Sequence, residues 1–153
     1  MTRPAIVFDL DGTLVDTAPD LAAAMNAVLA EAGRPALPLE TVRHLVGRGA
    51  RTLIARGFSV TGADAAPDML DTYVQSFLAH YRENIASSRP YPLVPETLAL
   101  LQREAVLGVC TSKPQEFAEI LLDRLNLTRF FGSVPIRRKC GRIPSLSGRG
   151  SAW

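Results

Sequence analysis

Apolar residues recur along this chain in two rhythms. Ala5-Ile6-Val7-Phe8 is a short, partly β-branched apolar run with no helical period, and polar and glycine residues follow at once. That is the pattern of a buried parallel strand ending at a loop. Val106-Leu107-Gly108-Val109-Cys110 repeats it. Between the two runs the period is helical. Leu21, Met25, Val28, Leu29 and Ala32 share one face of a helix predicted over 17–33, with Thr17-x-x-Asp20 as a capping box and Gly33 as the stop. Val42, Leu45 and Val46 predict a shorter helix ending at Gly47-Arg48-Gly49, and Leu53 and Ile54 another ending near Gly57. Leu70, Tyr73, Val74, Phe77, Leu78 and Tyr81 keep helical spacing from Pro67 to about Ala86, so 17–86 reads as an all-helical unit without a strand.

Ser87-Ser88-Arg89-Pro90-Tyr91-Pro92 resists both helix and central strand and predicts a hinge. A helix resumes near Glu96, packing through Leu98 and Leu101, with Leu100 as a further candidate. After the second strand, Ser112-x-x-Gln115 predicts a capped helix whose inner face is Phe117, Ile120, Leu121 and Leu125. The order is strand, helical insert, helix, strand, helix, an α/β arrangement. Its units are a partial core over 1–15 and 88–133 and an insert over 16–87.

The pattern fails beyond that. Val134 to Trp153 holds five basic residues, three glycines, three serines, two prolines and no periodic apolar face, which predicts disorder. The net charge of +2 hides this division. All 15 acidic residues precede residue 134, and without Arg137, Arg138, Lys139, Arg142 and Arg149 the body carries a net −3. Five positive charges in such a tail attract phosphate, but without aromatic interleaving beyond Trp153 or a helical register they argue against nucleic-acid binding. With 153 residues, 47% of them hydrophobic, the chain can bury one core. Cys110 and Cys140 have no zinc-binding spacing, and no signal peptide or membrane-length apolar run is present, so the expectation is a soluble, cytoplasmic protein.

The candidate chemistry lies where the strands end. Asp9 and Asp11, at i and i+2 after the first strand, can face one space if the path stays extended. One carboxylate can attack phosphorus while the other donates a proton to the leaving oxygen and later activates water. A hard divalent cation, Mg²⁺, suits such an all-oxygen site. The competing readings are a solvated turn or a calcium loop. Leu10 and Leu14 stand where an EF-hand has ligands, and the apolar strand ahead disfavours a bland turn.

Phe8-Asp9-Leu10-Asp11-Gly12-Thr13-Leu14-Val15-Asp16-Thr17 resembles the first motif of the haloacid dehalogenase-like phosphatases. The resemblance implies that Asp9 is the nucleophile and a magnesium ligand, and that Asp11 is the acid/base and ligates through its backbone carbonyl. Cys110-Thr111-Ser112-Lys113-Pro114 resembles the second motif, with Thr111 hydrogen-bonding the phosphoryl group. Hydroxyls and N–H groups where a strand meets a helix form an anion site. Ser112 and Lys113 join it as candidate substrate-binding residues, or serve as a helix cap and a solvated first-turn residue. The helical insert resembles a cap that closes over small substrates. Within it, His44-Leu45-Val46-Gly47-Arg48-Gly49 resembles the cap loop of phosphoglycolate phosphatases, where Arg48 would pair with a substrate carboxylate, the alternative being a surface arginine. His44 and His80 read as structural or exposed.

The implied protein is a Mg²⁺-dependent phosphatase of a small phosphorylated metabolite, 2-phosphoglycolate in the first instance. The family pattern would continue with a lysine ahead of a proline-aspartate pair, then a strand ending in glycine and acidic residues. Here no acidic residue follows Asp123, and Lys139 lacks the following Pro-Asp-Pro. The expectation is therefore an incomplete, Rossmann-like core truncated at its C-terminus, with 134–153 disordered or out of frame. The two strands and the Phe117–Leu125 face would then be poorly covered. A catalytically inactive fragment and a sugar-phosphate phosphatase or mutase remain alternatives, and the oligomeric state stays open.

Overall fold

The computed structural model describes residues 3–131, so the tail expected over 134–153 lies outside the described residues. Strand β1 (Ala5–Phe8) leads through β2 (Val15–Asp16) into four helices, α1 (Ala18–Glu31), α2 (Leu39–Leu45), α3 (Ala50–Val60) and α4 (Leu70–Glu83). The chain returns through β3 (Arg89–Pro90), α5 (Val94–Leu101), β4 (Val106–Val109) and α6 (Gln115–Arg124), and ends in a 3₁₀ turn at Thr128–Phe130. The fold is mixed α/β, with a parallel β1–β4 pair in which Ala5 lies opposite Val106 and Phe8 opposite Val109. The helical insert follows the first strand, as expected.

α1 forms where the apolar period demands it, and Met25, Val28 and Leu29 are fully buried. Each such side chain contributes about 1.5–3 kcal/mol on leaving water. Its start differs from the expected capping box. Thr17 makes no side-chain cap bond, and its buried hydroxyl has no partner among the described residues. Asp16 Oδ1 instead accepts the Ala18 N–H at 3.3 Å. Asp20 turns away from its own helix because a better donor set lies across the hinge: the N–H groups of Ser87 (2.9 Å) and Ser88 (2.8 Å) and the Ser88 hydroxyl (2.6 Å) all donate to it. The far end behaves as expected. Gly33 has φ +66°, and the Arg34 N–H closes back on the Leu29 carbonyl at 2.8 Å.

Gly57 does not end α3, which runs on to Val60. A Cβ at Gly57 would lie 2.2 Å from Met25 Cε, so this glycine lets α3 approach α1. Nor is the return segment wholly irregular: Val15 pairs antiparallel with Pro90, and Asp16 with Arg89. The Asp20 bonds to Ser87 and Ser88 bring the two crossings of the insert together, and the short β2–β3 pair follows.

The second half contains further differences. The helix after Cys110 begins beyond Pro114 without a side-chain cap, and Ser112 is exposed. Leu100 is 61% exposed, leaving Leu98 as the buried side chain of α5. Phe117, Ala118, Leu121 and Leu122 are all buried, so the α6 face is covered. β1 is not: Val7 is 36% exposed, because among the described residues β1 pairs only with β4. No helix among the described residues is long and apolar enough to cross a membrane.

Candidate active site

The parallel register sets the site. The Cys110 N–H donates to the Phe8 carbonyl at 2.8 Å, so both strands stop side by side and the loops carrying Asp9 and Thr111 leave from the same end. That end of a parallel sheet is where α/β proteins bind ligands. The Asp9 loop is anchored from below by Leu10, which is fully buried. The Leu10 carbonyl accepts the N–H groups of Thr13 (3.3 Å), Leu14 (3.1 Å) and Val15 (3.1 Å). Gly12, at φ +78°, allows this tight return, and its N–H donates to the Val15 carbonyl at 2.9 Å. Alternation then does the rest. Leu10 points into the core, while Asp9 is exposed and oriented by the Leu10 N–H on its Oδ1 at 2.7 Å.

Asp11 meets the second loop. Lys113 Nζ donates to Asp11 Oδ1 at 3.0 Å, and the lysine is buried. Burial alone would lower the pKa of this ammonium. The Asp11 charge beside it, helped by Tyr81, outweighs that effect and holds it above the ordinary lysine value. Tyr81, on α4 of the insert, places its ring centroid 4.4 Å from Lys113 Nζ. Burial pushes the Tyr81 phenol upward, against the pull of Lys113 and with that of Asp11 and Asp20. Thr111 is buried, and its Oγ1 accepts the Lys113 N–H at 3.2 Å. A narrow cleft of about 30 Å³ lies between insert and core, lined among others by Asp11, Gly47, Gly49, Tyr81, Lys113 and Pro114.

The structure thus brings Asp11 and Lys113 into contact and places Asp9 and Thr111 on adjoining loops. It does not bring Arg48 in. Arg48 is exposed and outside the cleft lining, although Gly47 and Gly49 on either side of it line the wall. Ser112 is also outside the lining, but a Cβ on Gly49 would lie 3.6 Å from its carbonyl oxygen, so the insert loop rests on this segment. His44 is exposed and His80 pairs with Glu31 at 2.7 Å, and neither lines the cleft. Sequence reasoning missed Tyr81 and the true role of Asp20. Tyr81 fits the helical apolar period, and its only signal is a hydroxyl at a position where phenylalanine would serve.

Among the described residues no group of three or more His, Cys, Asp or Glu side chains is arranged to hold a metal. Two hard oxygen donors of the kind Mg²⁺ takes are nevertheless present, the outward Asp9 carboxylate and the Asp11 main-chain carbonyl, which accepts no backbone hydrogen bond within its loop. That set suits an ion that keeps most of its waters and binds through one or two protein oxygens plus a phosphate.

A carboxylate-bearing loop after the first strand, a hydroxyl-bearing loop after its parallel neighbour and a helical insert beside them are the arrangement of a known class. The chain belongs to the haloacid dehalogenase-like hydrolases, whose family model matches residues 6–145. Within that class it is similar to the phosphoglycolate phosphatase of Caulobacter vibrioides, 47% identical over 131 residues that make up 84% of this chain and 55% of that protein. The phosphoglycolate phosphatase of Agrobacterium fabrum is 43% identical over 133 residues, 86% of this chain and 57% of its own. A crystal structure of a predicted phosphoglycolate phosphatase from Haemophilus somnus superposes with a TM-score of 0.79 at 30% identity, covering 92% of this chain and 64% of that one. The chain therefore spans about half the length of the curated relatives it matches.

Proposed function

We propose that this chain carries the nucleophile and cap half of a phosphatase acting on a small phosphorylated metabolite, 2-phosphoglycolate in the first instance. The observation that carries the reading is the contact of Lys113 with Asp11 beside the Asp9 loop, at the shared end of β1 and β4. Asp9 attacks phosphorus, the bond from phosphorus to the ester oxygen breaks, and Asp11, entering this step in its protonated form, gives that oxygen its proton. Water then attacks the aspartyl phosphate, losing a proton to Asp11 and freeing Asp9 and inorganic phosphate. Thr111 donates its O–H to a phosphoryl oxygen, and the Lys113 ammonium offsets negative charge nearby. Mg²⁺, held by the Asp9 carboxylate and the Asp11 carbonyl, would neutralise repulsion between nucleophile and phosphate. Arg48, at the rim, would reach the substrate carboxylate only after the loop moves. The names of the relatives support the substrate, and the cytoplasm is the compartment that fits it.

A second reading, an inactive fragment, is favoured by one observation: the described residues hold no third acidic ligand for the metal. Loss of one charge-stabilising group costs roughly a hundred- to a thousandfold in rate. Phosphate release from 2-phosphoglycolate with Mg²⁺, measured on the chain beside Asp9→Asn, decides between the two. The enzyme reading expects release that the variant abolishes. Equal rates in both would leave the inactive fragment standing.

A further inference from the structure

Tyr81 carries a buried group that the mechanism above leaves unused. Its hydroxyl has no hydrogen-bond partner among the described residues, although the side chain is only 2% exposed. The ring is fixed on three sides: it stacks on Phe77 at 6.2 Å with planes 2° apart, meets Phe117 edge-on at 5.5 Å, and faces the Lys113 ammonium at 4.4 Å. All of these contacts are made by the ring, so a phenylalanine would keep them. The oxygen lies near the Lys113 ammonium, but its own O–H has no acceptor, and a buried donor left without one is unfavourable.

The neighbourhood does not relieve that cost. The ammonium of Lys113 is a donor only, so it cannot accept the phenol proton whatever its orientation. Asp11, held by Lys113 through Oδ1, accepts no hydrogen bond from the phenol. What is missing is an acceptor, and the cleft that Tyr81 lines beside Lys113 and Asp11 is where one can enter. An acceptor next to an ammonium is best supplied as an anion.

We propose that Tyr81 is the insert's own anion-recognition residue, its phenol O–H donating to an oxygen of a phosphate group that enters the cleft beside Lys113. This deepens the phosphatase reading and rests on it for the identity of the anion. The role couples closure of the insert to occupancy. The phenol gains its acceptor only when α4 is seated on the core and phosphate lies between them.

The test is titration of the full chain and of Tyr81→Phe with inorganic phosphate by calorimetry, with thermal melts of both in its absence. The variant keeps the ring contacts and loses only an unsatisfied hydroxyl, so it should melt at the same temperature or higher. It should bind phosphate about ten- to a hundredfold more weakly, the range for a hydrogen bond to a charged group. A packing role predicts the opposite pairing, a lower melting temperature with unchanged affinity, and that result overturns the proposal. Undiminished phosphate binding by a well-folded Tyr81→Phe overturns it as well. No phosphate binding by the parent chain sinks this role together with the site. Tyr81-dependent binding without any hydrolysis of 2-phosphoglycolate sustains the anion role and sinks the hydrolase reading alone.

Discussion

Asp20 shows how one carboxylate can act far from its own helix. It is buried at 2% exposure and accepts three hydrogen bonds from Ser87 and Ser88 across the hinge. Burial alone would raise its pKa. The Ser88 hydroxyl and the amides of Ser87, Ser88 and Ala86 overcome that and hold it below the ordinary value of 3.8. A carboxyl whose folded pKa is depressed adds stability above its unfolded value and loses it as pH falls through the folded one. Asp20→Asn replaces an acceptor with an amide donor facing donors, and should cost about 1–3 kcal/mol near neutral pH. Urea unfolding should show the gap between parent and variant narrowing below about pH 4. A gap that stays constant from pH 7 to pH 3 would mean that the charge on Asp20 does not matter to the hinge.

The contact between α1 and α3 depends on what Gly57 lacks. By its low helix propensity this glycine reads as a helix stop. In the fold it lies inside α3, with Met25 of α1 filling the space above it, and Leu37 Cδ1 3.6 Å from where a Cβ would be. Met25 is fully buried and can yield only into packed neighbours. Gly57→Leu should therefore destabilise by about 1–3 kcal/mol through overpacking, despite the better propensity of leucine. Thermal melts read this directly, and a variant more stable than the parent would show that helix propensity outweighs the contact. The same logic explains α6. Its inner face was expected to lie bare, yet Phe117 and Leu121 are buried, Phe117 partly by Tyr81 from the insert. Arg82 Nη2 donates to both carboxylate oxygens of Glu116 across the same junction at 3.0 Å, an exposed pair and so of small net worth.

At the scale of the whole molecule, the weak side is β1. Among the described residues it has one neighbour, β4, and Val7 is 36% exposed, so within these residues its other edge is unpaired. Open edges of this kind template pairing with other chains. Val7→Lys should slow self-association at high protein concentration, seen as lower light scattering, without lowering the melting temperature by more than a few degrees. Scattering unchanged by the lysine would place the sticky surface elsewhere.

Much of this protein was determined by local sequence. The two strands, the helical insert and the placement of Asp9, Asp11 and Thr111 just beyond the strand ends were legible because each depends on a short-range rule: an apolar period, a glycine at a positive φ, or motif residues directly after a strand. Tertiary structure decided what crosses between segments far apart in the chain. Asp20 and Ser88 are separated by 68 positions, and Asp11 and Lys113 by 102. No period or spacing encodes such pairs, because their partners are selected by geometry that exists only once the insert has folded against the core. Tyr81 is the sharpest case. To the sequence it is one more apolar position on α4, and only the packed structure reveals a hydroxyl without an acceptor beside a buried ammonium.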